Sequence, residues 1–118
     1  MKSLSAFPSI LIFPAHIDFR KGRRSLAAFV QSSLNENPFA CKLFVFINRR
    51  KDCLKALYWA KSGFAMWEMG LEEAKFPWPK QPYSQKFEIT AAQAEWLLEG
   101  IDIWKMKPNK ELKYNFVV

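Results

Sequence analysis

Histidine occurs once in this chain of 118 residues, at His16, and cysteine only at Cys41 and Cys53. Two thiols and one imidazole cannot complete a four-ligand zinc site of the usual Cys/His type, and the cysteines form neither a CxxC pair nor another close His/Cys set. The same count excludes a nicking endonuclease built on a His-x-His metal pair. A serine or cysteine hydrolase normally needs a histidine base, and His16 has no Gly-flanked nucleophile beside it. It reads as an ordinary strand-end residue, and the cysteines read as reduced and structural. Long apolar runs are missing too. No stretch approaches the roughly 20 residues of a membrane span, and "SILIFPAH" is too short and too soon followed by charge for a secretory signal. A cytoplasmic protein with no membrane partner is the expectation.

Acidic residues are in the minority, 11 Asp and Glu against 18 Lys and Arg, for a formal charge of +7 and a pI near 9.6. That balance favours polyanionic partners, nucleic acid first. It leaves little for metal-dependent strand cleavage. A three-carboxylate, two-metal site needs acids from separate elements of a ribonuclease-H-like fold, with metals about 4 Å apart. The strand order read below does not suit that fold, and Asp18 and Asp52 have no further oxygen donor at useful spacing. Asp18 reads as a helix N-cap, and Asp52 as a partner for Arg49 or Lys55. No catalytic residue, metal, cofactor or small-molecule substrate is expected.

What the chain has in quantity is apolar surface. Half of its residues are hydrophobic and 16% aromatic, with 11 Phe and 5 Trp, enough for one self-sufficient core. One domain over residues 1–104 and a basic tail over 105–118 follow, the tail either a loose arm or an added edge strand. "PSILIFP" reads as a first strand. "DFRKGRRSLAAFVQSSL" has helical spacing, with Phe19, Leu26, Ala27, Val30 and Leu34 near one face and a stop at Pro38. "KLFVFI", "CLKALYWA" and "FAMWEMGL" are three more strands, joined by "NRRKD" and by "KSG", where Gly63 supplies a permissive backbone. "KFPWPKQPYSQ" is a proline-rich loop. "TAAQAEWLLEGI" is a second helix, opened by a Thr90–Gln93 capping box, with Ala94, Leu97, Leu98 and Ile101 as its apolar stripe and Gly100 at its end. The fold class is α+β, an antiparallel β-meander with two amphipathic helices packed on it. The strands are apolar on both faces, so one face should take the helices and the other a partner or the tail.

In order along the chain, "DFRKG", "NPF", "FVFINRRKDCLKALYW", a short Gly turn, "LEEAKFPWP" and "LLEGID" resemble the TnpB accessory proteins of the insertion-sequence 66 family of bacterial transposable elements. The resemblance spans about Ile12 to Asp102. It implies a small protein encoded beside a transposase, assisting transposition while the larger transposase performs the chemistry. Met69 and Gly70 stand where members commonly carry a basic pair, and Lys61 and Ser62 where an acidic residue often precedes the turn Gly.

The basic residues carry the functional signal. Arg20 and Lys21 fall in the first turn of the expected helix, extended by Arg23 and Arg24, where the macrodipole is already positive and an incoming phosphate would relieve the repulsion. Arg49, Arg50 and Lys51 load a hairpin tip that could lie along a phosphate backbone, with Lys55 following on the next strand. Trp59, Trp67, Trp78 and Tyr58 could stack on bases, but Trp59 and Trp67 are better read as core. Trp78, between two prolines, reads as an exposed anchor for a partner, with Phe76 beside it. The leading reading is a noncatalytic accessory that contacts DNA through its phosphates, the transposase, or both. Two alternatives are a pure protein-interaction module docking through "FPWP", and a small metal-independent ribonuclease, for which Tyr58 and His16 lack supporting spacing.

Overall fold

Side chains alternate across a strand, so a segment apolar at every position needs cover on both faces. The computed structural model, which describes residues 3–78 and 86–104, shows how that cover is provided. After a 3-10 turn at Leu4–Ala6 come β1 (Ser9–Ile12), α1 (Arg23–Ser33), β2 (Lys42–Ile47), β3 (Cys53–Trp59), β4 (Phe64–Gly70), β5 (Phe87–Ile89) and α2 (Ala91–Leu98). The strands form one sheet in the order β4-β3-β2-β1-β5. The class is α+β and most pairings are antiparallel, but the sheet is mixed and is not a single meander. β1 runs parallel to β2, Ile10 beside Leu43, and antiparallel to β5, Ile10 beside Ile89. The parallel pair arises because α1 carries the chain back across the sheet between β1 and β2. Only three residues long, β5 (Phe87–Ile89) is too short to show any periodicity in the sequence.

Over β1 to β3 both faces are covered by this chain, while the edge strand β4 is half-buried to exposed along its length. On one, Ile10, Ile12, Leu43, Val45, Ile47, Leu54, Ala56 and Tyr58 pack with Ala94 and Leu97 of α2 and with Phe76, Trp78 and Ile103. On the other, Leu11, Phe44, Phe46 and Leu57 pack with Leu26, Ala27 and Val30 of α1, joined by Phe13 and Leu34. The second face therefore does not wait for a partner or for the tail. Residues 79–85 and the segment 105–118, including the expected basic tail, lie outside the described residues.

The helix ends differ from expectation in instructive ways. Asp18 is not the N-cap of α1. Its Oδ1 accepts from the backbone N–H of Arg20 at 2.9 Å, and its carbonyl accepts from Lys21 N–H at 3.2 Å. These bonds close a turn before the helix, as a short acidic side chain readily does. Gly22, extended at φ −84° and ψ −174°, is the N-cap. Asn35, at φ 55°, leaves the helical path before Pro38 is reached. In the β3–β4 turn the left-handed residue is Lys61, φ 69°, and not Gly63.

α2 begins as its sequence says. Thr90 Oγ1 accepts from Gln93 N–H at 3.0 Å while Thr90 N–H donates to Gln93 Oε1 at 2.9 Å. It ends in a Schellman closure, with Gly100 at φ +88°, Gly100 N–H donating to Leu97 O and Ile101 N–H to Trp96 O. The closure turns the chain before Ile101, which is therefore 40% exposed and drops out of the stripe.

Thr90→Ala removes one half of the reciprocal cap. It is expected to cost about 1 kcal/mol, read as a lower urea midpoint with an unchanged slope. A stability equal to wild type would mean that the box contributes nothing to α2.

Candidate nucleic-acid interface

The face of β3 that meets α1 is apolar apart from its margins and Lys55. Lys55 is only 6% exposed, and a buried ammonium must find acceptors. Its Nζ donates to Phe19 O at 2.7 Å and to Lys21 O at 3.3 Å, and lies 4.9 Å from the centre of the Phe19 ring. Both carbonyls precede α1, where no helical N–H claims them. Lys55 thus pins the approach to α1 onto the sheet. Its ammonium is turned inward and spent, which corrects its assignment as a phosphate contact.

The pinned segment leaves Arg20, between the two bound carbonyls, facing outward with its side chain 91% exposed. The Arg20 guanidinium binds both carboxylate oxygens of Asp18 at 2.8–3.1 Å. That bond and the Arg20 N–H hold the Asp18 carboxyl down at a pKa of about 2. Lys21 instead lies back along α1, its Nζ 5.8 Å from the centre of the Phe29 ring.

The β2–β3 tip is a closed, rigid turn. Lys51 N–H donates to Asn48 O at 3.1 Å, with Lys51 at φ 64°. Asn48 Oδ1 accepts from the N–H groups of Asp52 and Cys53, while its Nδ2 donates to Asp52 Oδ1 at 2.7 Å. Asp52 is therefore chiefly the partner of Asn48. Its only ion pair among the described residues is a 4.0 Å contact with Arg50 Nε, and neither Arg49 nor Lys55 pairs with it. The carbonyls of Lys51 and Asp52 accept from Phe76 and Leu71 at 2.8 Å. With its backbone engaged, the tip holds Arg49 and Arg50 exposed at the centre of the turn and Lys51 half-buried.

Ile17 N–H donates to Ile47 O at 3.1 Å, so the segment before α1 runs beside this tip. Between them lies an open groove of about 500 Å³ lined by His16, Ile17, Asp18, Phe19, Asn48, Arg49 and Arg50. The fold thus brings the tip arginines next to the turn that carries Arg20. Arg23 and Arg24 are not part of this groove. They are the residues that open α1, and they line a different cleft with Trp59, Gly63 and Phe64. Trp59 is the far end of β3, about 20 Å from Cys53 at the usual rise per residue.

Two further assignments change. Trp78 is buried, 8% exposed, with its indole N–H on Pro14 O at 2.9 Å, and Phe76 is 2% exposed. A tryptophan flanked by prolines looks like a surface anchor in sequence, but here the "FPW" segment is the inner lining of the α2-side core. The sequence reading gave no functional role to Asn48, which organises the tip, or to Phe39, which is 53% exposed. The signal for Asn48 was its position at the start of a turn, where Asn side chains commonly close on nearby backbone.

Among the described residues no three His, Cys, Asp or Glu side chains are grouped to hold a metal ion, and no helix is long and apolar enough to cross a membrane. Cys41 and Cys53 are free thiols. Burial, followed by the Glu68 carboxylate that accepts its S–H at 3.3 Å, pushes the Cys53 thiol up to about 11.

Residues 8–108 match the family described as IS66 Orf2 like protein. The chain is also 31% identical over 104 residues to the uncharacterized protein y4jC of Sinorhizobium fredii (strain NBRC 101917 / NGR234), across 88% of this chain and 87% of that protein. No solved structure matches it.

Lys55→Met keeps the stem of the side chain but strips two partly buried carbonyls of their donor. A loss of about 1–3 kcal/mol is expected in chemical denaturation, with faster amide exchange over residues 19–24 than elsewhere. Unchanged stability and exchange would contradict a clamp. For the thiols, a raised pKa means less thiolate at any given pH. Iodoacetamide at pH 8 should therefore modify exposed Cys41 first and Cys53 more than roughly tenfold later, with the lag closing as the pH approaches 11. Equal rates at pH 8, read by peptide mass spectrometry, would contradict the protonated, shielded thiol.

Proposed function

Since the chain belongs to the IS66 Orf2-like family, and so has an accessory role in transposition, we propose that it acts without catalysis, as a DNA-contacting accessory that uses the phosphate backbone. One observation carries the reading, the groove in which a rigid tip presents Arg49 and Arg50 beside the turn bearing Arg20. Arg49 has no carboxylate partner among the described residues, and the Arg50–Asp52 contact at 4.0 Å is weak and exposed. Cations held on a rigid frame lose less freedom on meeting phosphate than cations on a loose loop. Lys51, half-buried at the base of the tip, adds to the same field.

His16 lines this groove too, the one feature that favours phosphoryl-transfer chemistry. The carboxylate next to it, Asp18, is held by Arg20 at a pKa of about 2. An acid ionised so far below neutrality neither donates a proton at pH 7 nor accepts one effectively. Asp18 is thus a poor acid–base partner for His16, which supports reading the groove as a binding surface. Docking of the transposase through Phe76 and Trp78 has no support from their burial, so a direct protein partner would have to use another surface.

Replacing Arg49, Arg50 and Lys51 together with Gln is expected to weaken binding to unrelated duplexes by similar factors. The slope of log affinity against log salt should fall by up to about three, while the unfolding midpoint barely moves. Anisotropy titrations of labelled duplexes at several salt concentrations measure both. If wild type fails to bind duplex at low salt, or the triple variant keeps the wild-type slope, the tip is a solvated turn and the proposal is wrong.

A further inference from the structure

At the end of β3 remote from the tip, three aromatic rings meet. Phe39 and Trp59 lie 4.9 Å apart and edge-on, Phe39 and Phe64 5.3 Å apart, and Trp59 and Phe64 5.0 Å apart. Trp59 and Phe64 are cross-strand partners on the α1 side of the sheet, and Phe39 reaches them from the connection between α1 and β2. The cluster is not closed over. Phe39 is 53% exposed, the most exposed of the large hydrophobic residues described. Beside the rings is a cleft of about 400 Å³ lined by Trp59, Phe64, Gly63, Arg23 and Arg24, within the roughly 300–1,000 Å³ common for ligand clefts. Both arginines are exposed, and neither forms an ion pair with a described carboxylate.

We infer that this aromatic and arginine cleft binds an unpaired stretch of DNA, with bases against the Phe39, Trp59 and Phe64 rings and phosphates at Arg23 and Arg24. The inference rests on the DNA-contacting reading above and adds to it a second, chemically different contact. The exposed Phe39 ring and the half-buried Trp59 and Phe64 rings beside it offer stacking surface, which every base satisfies and which is tolerant of sequence. Two exposed guanidinium groups lining the same cleft suit an anion that recurs along the ligand. An acidic peptide supplies the charge but no flat face at each repeat. A duplex supplies the charge but hides its base faces in the stack. A single strand supplies both. Phe39 does not need its exposure for stability, because a ring half in water contributes less burial than one enclosed.

The test compares a fluorescein-labelled oligothymidylate with a duplex of similar length, by anisotropy at low salt, on the full chain. Phe39→Ala is expected to weaken oligothymidylate binding roughly tenfold and to leave duplex affinity within about twofold. Phe64→Leu, which keeps apolar bulk and removes a ring, should weaken oligothymidylate binding in the same direction. Combined Arg23→Gln and Arg24→Gln should lower the salt slope for oligothymidylate by up to about two. Circular dichroism melts confirm that each variant is folded. If both ring variants, folded, leave oligothymidylate affinity within about twofold, or lower duplex affinity by an equal factor, the inference is overturned. Duplex binding that depends on Arg49 and Arg50, without ring-dependent oligothymidylate binding, sinks this inference alone. Ring-dependent oligothymidylate binding with no duplex binding sinks the backbone reading and keeps this one. Binding of neither overturns both.

Discussion

A lysine on the inner face of a strand is the constraint around which the rest of this surface is arranged. Lys55 stands opposite Phe46 and Glu68 in the sheet, and its stem lies in the layer between the sheet and α1. Removal of its ammonium from water is tolerable only because the carbonyls of Phe19 and Lys21 reach it. These carbonyls are free because α1 has not yet begun. The late start of α1 at Arg23 and the burial of Lys55 are therefore two sides of one arrangement. With residues 19 and 21 fastened inward, the side chain of Arg20 goes outward, and the chain before it is laid against the tip of the β2–β3 hairpin.

That arrangement divides the positive charge into two places. At the tip, Asn48 organises the turn and the carbonyls of Lys51 and Asp52 are tied to residues 71 and 76. Arg49 and Arg50 are then presented by a frame that has little left to order. At the far end of β3, Arg23 and Arg24 line a cleft with the Trp59 and Phe64 rings. The two ends differ in chemistry. One presents charge on a rigid polar turn, and the other presents charge next to stacking surface. A polyanion can be met in both ways, as backbone alone or as backbone and bases.

A strand that is apolar on both faces signals that both are covered, without saying by what. In this chain α1 takes one face, while α2 and the "FPW" segment take the other. Phe76 and Trp78 are thus consumed as core, and over β1 to β3 the centre of the sheet is covered on both faces, while β4 and the Trp59 end of β3 are only half-buried. Among the described residues, the aromatic side chain left most in the open is that of Phe39, which follows a proline in a connection and has no periodicity to mark it.

Local chemistry was legible from the residues alone. The Thr90–Gln93 box, the glycine stop at Gly100, strands β2 to β4 and the basic hairpin tip all depend on neighbours a few positions apart. So does the ordered set of blocks that marks the family. Only the tertiary structure decided what depends on residues far apart in sequence. It set β1 parallel to β2 and added β5, because pairing across long connections leaves no local periodicity. It turned Lys55 inward toward carbonyls 34 and 36 residues away, and Trp78 onto the carbonyl of Pro14, 64 residues away. It also placed Arg23 and Arg24 in a cleft with Trp59 and Phe64, and Arg49 and Arg50 in a different one with His16 and Asp18. Charge and ring content are properties of composition, but which of them faces water is settled by the acceptors and apolar surfaces that folding brings alongside.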